Sequence, residues 1–129
     1  MIEVYTDGAS QGNPGPSSIG IYIKSGKEQY SVATYIGEYS NHEAEFIAVI
    51  RALEYCKIHF PKEIISCRSD AKIVVDAIEK QYVKNTQFQP YLAAIRRLAN
   101  AFPYFFMKWI PEKQNVHADR LARNALKQK

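Results

Sequence analysis

Four carboxylate residues occupy positions where strands or helices are predicted to begin or end. Asp7 follows the alternating segment Ile2–Thr6, and Asp70 follows a short β-type run. Glu45 and Asp119 fall in the first turns of two predicted helices. Acids at such positions can converge at one edge of an α/β sheet, and carboxylate oxygens suit hard divalent cations. The spacing alone also fits four unrelated caps and turn residues, so both interpretations stay open.

The chain between Asp7 and the next predicted strand is rich in glycine and proline. Gly8–Pro16 is therefore predicted as a turn, and its slim backbone would let a ligand approach Asp7. Asn13 fits such a turn without any further role. This segment by itself does not identify a binding site.

The hydrophobic pattern predicts nine elements in the order βββαβααβα. The predicted strands cover residues 2–6, 19–24, 29–36, 64–68 and 104–110, with a hairpin turn at 25–27. Two predicted helices cover residues 72–79 and 87–101. Two more helices are predicted, one with Asn41 as its N-cap and one that begins near Asn115. The aromatic residues of 102–109 are predicted to be mostly core. The pattern indicates one domain, residues 1–129, with an α/β fold on a mixed five-stranded sheet.

Composition and charge narrow the class of protein. Hydrophobic residues make up 47% of the 129 residues and charged residues 23%, a balance typical of globular proteins. Residues 1–66 carry five basic and eight acidic side chains, whereas residues 67–129 carry twelve and five. The basic second half suits a polyanion such as nucleic acid, although many proteins carry a solvated basic face.

Two further features suggest a cytoplasmic protein. Cys56 and Cys67 lie in apolar settings, which predicts two buried free thiols. The N-terminal residues read as a strand and lack the features of a signal peptide, and no apolar stretch is long enough to cross a membrane.

Four motifs resemble those of the type 1 ribonuclease H family. Its opening signature is similar to TDGAS at residues 6–10 followed by GNPG at 12–15. Its second motif resembles NHEAE at 41–45, its third SD at 69–70, and its fourth ADRLA at 118–122. The motifs follow the family's order and extend over nearly the whole chain.

The resemblance implies a ribonuclease H-like fold and hydrolysis of the RNA strand of RNA–DNA hybrids, with two Mg²⁺ or Mn²⁺ ions as cofactors. It implies that Asp7 bridges the ions, with Glu45 and Asp70 on one side and Asp119 on the other. One ion would activate water, and the other would stabilise the leaving oxygen.

The resemblance also implies contacts to the hybrid. Ribose 2′-hydroxyls would be read by the backbone near Gly8 and Ser10 and by the side chains of Asn13, Asn41 and Glu45. From the residues themselves, Ser40 is a candidate phosphate contact because it stands beside a predicted helix N-terminus. His42 and Lys72 complete the candidate nucleic-acid contacts, and each also fits an ordinary solvated position.

The sequence departs from the family pattern in two places. Residues 111–116, before the last motif, contain no His, and His117 is predicted to lie on a helix surface. Residues 72–101 contain no Trp and no dense basic run, so the basic protrusion of some members is absent. Lys80, Lys84, Arg96 and Arg97 form either a substitute basic face or ordinary surface charge. The chain thus resembles a compact bacterial or archaeal-like member that acts as a monomer.

Three functions remain open on the sequence. The first is a metal-dependent endoribonuclease acting on RNA–DNA hybrids. The second is a nucleic-acid-binding protein of the same fold with weak or no cleavage, which the two departures favour. The third is a nuclease of the same fold that prefers structured RNA or DNA.

Overall fold

The computed structural model describes residues 1–128 as five strands, four α-helices and one short 3₁₀ turn. The strands are β1 (Ile2–Ser10), β2 (Gly15–Ser25), β3 (Glu28–Tyr39), β4 (Ile65–Ser69) and β5 (Phe105–Trp109). The helices are α1 (Asn41–His59), α2 (Lys72–Lys80), α3 (Gln89–Ala99) and α4 (Val116–Lys127), with the 3₁₀ turn at Glu112–Gln114. The predicted order βββαβααβα is confirmed.

The strands form one mixed sheet in the order β3-β2-β1-β4-β5. β1, β2 and β3 pair antiparallel through tight connections, and the hairpin turn falls between Ser25 and Glu28 as predicted. β4 pairs parallel with both β1 and β5. Parallel neighbours require crossover connections, which are made by α1 and by α2 with α3.

β1 is longer than the sequence predicts, and this changes the position of Asp7. The turn predicted from Gly8 to Pro16 is present but covers only residues 11–14, because β1 continues to Ser10 and β2 already begins at Gly15. Asp7 pairs with Gly20 of β2 inside the sheet, whereas pairing with β4 stops at Tyr5. The edge of β1 that faces β4 is therefore open beside Asp7.

One face of the sheet is covered mainly by α1. Its buried residues Phe46, Val49, Leu53 and Cys56 follow the predicted apolar stripe. They pack with Ile19, Ile21 and Ile23 of β2 and with apolar residues of α2 and α3 in one continuous core. Burying such aliphatic side chains stabilises a fold by roughly 1.5–3 kcal/mol each.

α4 covers the opposite face of β1, β2 and β3. Gly20 permits this close approach, because a Cβ at Gly20 would lie 2.2 Å from the carbonyl oxygen of Ala118. Ala118 and Ala122 are fully buried in this contact. The small residues thus let the first turn of α4, which carries Asp119, lie against the sheet.

The aromatic residues of the last strand differ from the prediction. Phe102 is buried, but Tyr104, Phe106 and Trp109 are 63%, 53% and 48% exposed, so the assignment of this run mostly to the core is wrong. β5 is an edge strand, and α4 does not extend over its outer face. Only one side of the strand therefore has a layer of helices to pack against.

The prediction that both cysteines are buried free thiols is confirmed. Cys56 and Cys67 are buried free thiols, and burial raises the pKa of each to about 12. Within residues 1–128, every helix is too short or too polar to span a lipid bilayer.

Candidate active site

Three carboxylates meet at the open edge of β1. One oxygen each from Asp7, Glu45 and Asp70 lies within 4.8 Å of the other two. They come from β1, from the first turns of α1 and from the residue that follows β4. This arrangement brings three of the four predicted acids together.

Asp119 lies beside this group in the first turn of α4 and affects the pKa of Asp7. Its Oδ2 also accepts a bond from Arg123 Nη2 at 2.8 Å, one helical turn later. Asp119 is thus adjacent to the three-carboxylate group. A bound cation would compete with Arg123 for the Asp119 carboxylate.

Burial and mutual repulsion make this cluster a poor place for negative charge alone. Burial and then the charge of Asp70 raise the pKa of Asp7 to about 7, with a smaller contribution from Asp119 and an opposing hydrogen bond from Glu45. Burial and then the charge of Asp7 raise the pKa of Glu45 well above its usual value. A divalent cation among these oxygens would remove the repulsion and favour the ionised forms.

The donor set fits such a cation. All three groups offer carboxylate oxygen, the ligand that Mg²⁺ and Mn²⁺ favour over sulfur or imidazole. Asp7 is only 7% exposed, and buried carboxylates generally require a positive partner. The described residues supply none to Asp7, Glu45 or Asp70 in the form of a salt bridge.

The start of α1 is fixed by a capping box, which also places Glu45. The expectation that Asn41 is the N-cap is wrong, because Ser40 has the extended backbone and its Oγ accepts a bond from the Glu43 amide. Glu43 in return accepts bonds from the Ser40 amide at 3.0 Å and from Tyr91 of α3 at 2.8 Å. The first turn of α1 is thereby anchored at two points.

β1 contacts this turn directly. The Gly8 amide donates a hydrogen bond to Glu45 Oε1. A Cβ at Gly8 would lie 2.5 Å from the Ala44 carbonyl carbon, so only glycine permits the approach. The role of Gly8 in this structure is therefore to let β1 and α1 meet at Glu45.

Asp70 is held by two residues that were not predicted as site residues. Trp109 Nε1 donates to the Asp70 carbonyl at 3.2 Å, and Asn115 Nδ2 donates to Asp70 Oδ1 at 3.0 Å. From the sequence, Asn115 is expected only near the start of the last helix. The one feature of the sequence that could have identified Asn115 is its position four residues before Asp119, although Asn at that position also fits an ordinary N-cap.

The predicted nucleic-acid contacts lie on β1, on the turn between β1 and β2, and at the starts of α1 and α2. Asn13 Oδ1 accepts a bond from the Asn41 amide at 3.1 Å, which joins two of them. Ser10 Oγ donates to the Tyr39 carbonyl at 3.0 Å. His42 is exposed with its ring edge-on to Phe88, and Lys72 is exposed at the start of α2.

Three of the four residues considered above as a substitute basic face line different grooves. Lys80 and Lys84 line a groove of about 500 Å³ together with His42, whereas Arg96 lines other grooves beside α3. His117 is exposed and stacks on Tyr22 with ring centroids 4.3 Å apart, as expected for a helix-surface residue.

Comparison with known proteins identifies the family. The model of the reverse transcriptase-like family matches residues 5–125. EbsB of Enterococcus faecalis, provisionally named a hydrolase, is 42% identical over 127 residues, covering 98% of this chain and 94% of EbsB. Ribonuclease HI of Halobacterium salinarum is 31% identical over 128 residues, covering 97% of this chain but 64% of that protein.

Solved structures agree with this assignment. The crystal structure of RNase H1 from Halobacterium salinarum matches with a TM-score of 0.92 at 30% identity, covering 99% of this chain and 98% of the other. LC11-RNase H1, solved in complex with an RNA/DNA hybrid, matches with a TM-score of 0.91 at 30% identity and the same coverage. The chain belongs to the reverse transcriptase-like family, and its resemblance to type 1 ribonuclease H, with the fold and enzyme class this implies, is confirmed.

Proposed function

We propose that this chain is a metal-dependent endoribonuclease that hydrolyses the RNA strand of RNA–DNA hybrids. The observation that carries the proposal is the convergence of Asp7, Glu45 and Asp70 within 4.8 Å, beside Asp119. A protein that only binds nucleic acid gains nothing from buried acids, because they repel phosphate unless cations neutralise them. The hybrid complex of LC11-RNase H1 supports the substrate class.

The four carboxylates are proposed to hold two Mg²⁺ or Mn²⁺ ions. In this assignment Asp7, the most central acid, would be a ligand shared by both ions, and Glu45, Asp70 and Asp119 would supply the other carboxylate ligands. Bound ions of this kind lower the pKa of water and stabilise charge on a phosphate and its leaving oxygen.

The remaining contribution of the chain is to orient the carboxylates. The Gly8 amide keeps Glu45 Oε1 at the cluster, and Asn115 and Trp109 fix Asp70. Because these groups lie on β1, on β5 and at the start of α4, the carboxylates need little reorganisation when substrate arrives. Preorganised groups of this kind account for much of the rate enhancement in phosphoryl transfer.

The RNA strand is proposed to lie across the start of α1. The linked pair Asn13 and Asn41 offers amide groups to a ribose 2′-hydroxyl, with the backbone near Gly8 and Ser10 beside it. Ser40 lies at the N-terminus of α1, where a phosphate is favoured by the helix dipole. Lys72 and the groove at His42, Lys80 and Lys84 supply positive charge nearby.

A cleavage assay tests the proposal. The protein is incubated at low salt with a labelled RNA–DNA hybrid, double-stranded RNA or double-stranded DNA, with Mg²⁺, Mn²⁺ or EDTA. We expect metal-dependent cutting of the RNA strand in the hybrid alone, and near-total loss in Asp7→Asn and Asp70→Asn. Glu63→Gln, which neutralises an exposed acid at the far end of β4 from Asp70, is the matched control. Absence of hybrid cleavage with both metals would refute the enzyme assignment.

A second function is favoured by two observations. The segment between β5 and α4 is a short 3₁₀ turn without His, and the α2–α3 connection, residues 81–88, is short and carries a single lysine. Without a loop His and a basic protrusion, proton transfer and the grip on the hybrid lose support, which favours a nucleic-acid-binding protein with weak or no cleavage. Hybrid affinity that persists in Asp7→Asn, together with no turnover in the parent protein, would establish this alternative.

A further inference from the structure

Asn115 stands at the N-cap of α4 but does not perform the usual function of that position. An N-cap Asn normally accepts a hydrogen bond from a backbone amide in the first turn. Here the side chain makes no capping bond. The residue is 1% exposed, so its side chain is directed inward, toward the sheet.

The amide group joins two elements of the candidate active site instead. Asn115 Nδ2 donates to the Thr6 carbonyl at 2.9 Å and to Asp70 Oδ1 at 3.0 Å. Thr6 immediately precedes Asp7. The backbone carbonyl of Asn115 accepts the Asp119 amide at 3.1 Å. One residue therefore connects the segments that carry Asp7, Asp70 and Asp119.

The orientation of the amide is determined by its partners. Thr6 O and Asp70 Oδ1 are both acceptors, so only the NH₂ group can satisfy them. Asn115 Oδ1 is buried and has no hydrogen-bond partner among residues 1–128. A buried polar atom left unpaired is unfavourable, which indicates that the bonds on the other side of the amide decide the geometry.

We propose that Asn115 is a positioning residue, which fixes one oxygen of Asp70 and holds the start of α4 against β1 so that the cluster binds its divalent cation. This inference rests on the proposed metal-dependent function. It assigns to Asn115 no contact with the substrate or with the reacting atoms. Groups that orient metal-binding carboxylates typically change metal affinity or activity by roughly 10- to 100-fold when removed.

The test measures metal binding directly as well as cleavage. Mn²⁺ affinity is determined without substrate, from the electron paramagnetic resonance signal of free Mn²⁺, for the wild type, Asn115→Ala and Asn115→Ser. Leu126→Ala is the matched control, because it removes a buried side chain from the last turn of α4. Thermal unfolding establishes that each variant is folded at the assay temperature.

We expect both Asn115 variants to bind Mn²⁺ roughly tenfold more weakly or worse. Their cleavage should require correspondingly more Mn²⁺, while the KM for hybrid at saturating metal stays close to that of the wild type. Leu126→Ala should lower the melting temperature without changing Mn²⁺ affinity.

The possible failures are distinguishable. Wild-type Mn²⁺ affinity in the Asn115 variants would overturn the positioning role and leave the proposed function intact. An equal loss of affinity in Leu126→Ala, or loss of folding in both Asn115 variants, would also overturn it, because the effect would then be general stability. A wild type that neither binds Mn²⁺ nor cleaves hybrid would overturn the proposed function together with this inference.

Discussion

Replacing Asp7 by Asn should stabilise the metal-free protein although it removes a proposed metal ligand. The pKa of Asp7 in the folded chain is raised from 3.8 to about 7, first by burial and then by Asp70. Below about pH 4 the carboxyl group is protonated whether the chain is folded or unfolded. Between these two pKa values the unfolded chain releases its proton first, so the free energy of unfolding falls as the pH rises.

The magnitude follows from the two pKa values. Each tenfold difference in proton affinity corresponds to about 1.4 kcal/mol, so ionised Asp7 costs the folded state up to about 4 kcal/mol above pH 7. A neutral amide of the same shape avoids this cost. At pH 8 without metal, we expect Asp7→Asn to unfold roughly 15 °C higher than the wild type, since 1 kcal/mol moves the melting temperature by about 4 °C in a chain of this size.

Thermal unfolding at pH 5 and pH 8, with EDTA and with Mn²⁺, measures the effect. The difference between the two proteins should shrink at pH 5, where Asp7 is mostly protonated in the folded chain. Mn²⁺ should stabilise the wild type and have much less effect on Asp7→Asn. Glu63→Gln controls for loss of a negative charge elsewhere. An Asp7→Asn melting temperature at or below that of the wild type in EDTA at pH 8 would show that the cluster is not electrostatically strained.

Three other substitutions test the packing and the surface around the site. Gly20→Ala places a Cβ 2.2 Å from the Ala118 carbonyl oxygen, so it should destabilise the fold by about 1–3 kcal/mol in urea unfolding. It should also reduce cleavage, because the added Cβ displaces α4. Unchanged stability would contradict the tight contact. Ser40→Ala removes the cap of α1 and should cost about 1 kcal/mol in the same assay; a much smaller cost would mean that Glu43 and Tyr91 suffice to hold the helix start. Lys72→Ala should weaken hybrid binding and lower the dependence of log affinity on log salt by about 1; an unchanged salt dependence would remove Lys72 from the proposed interface.

The order of elements could be predicted from the sequence because its patterns are local. The apolar stripe of α1 and the hairpin at Gly26 each depend on neighbouring residues. The limits of β1 could not be predicted, because its extension to Ser10 depends on pairing with β2, whose partner residues come seven or more positions later in the chain. The exposure of Phe106 likewise depends on which strands α4 covers, a property of the completed fold.

The candidate site, like the fold, could be predicted from the sequence only in part. The motifs around Asp7, Glu45, Asp70 and Asp119 identify the acids, but no spacing states that the first three meet within 4.8 Å. Asn115 was the hardest to predict, since Asn before a helix favours an N-cap. Only the fold reveals that its amide reaches Thr6, 109 residues earlier in the sequence.

The distance in sequence between these acids has a consequence for a chain emerging from the ribosome. Asp7 is made early, but its partner Asp70 is held by Asn115, and Asp119 enters only with α4 near the end of the described chain. An incomplete chain therefore lacks Asp119 and the residue that holds Asp70. On the proposed function, a growing chain lacks the ability to cut nucleic acid until its last helix has docked, so synthesis order itself delays the activity.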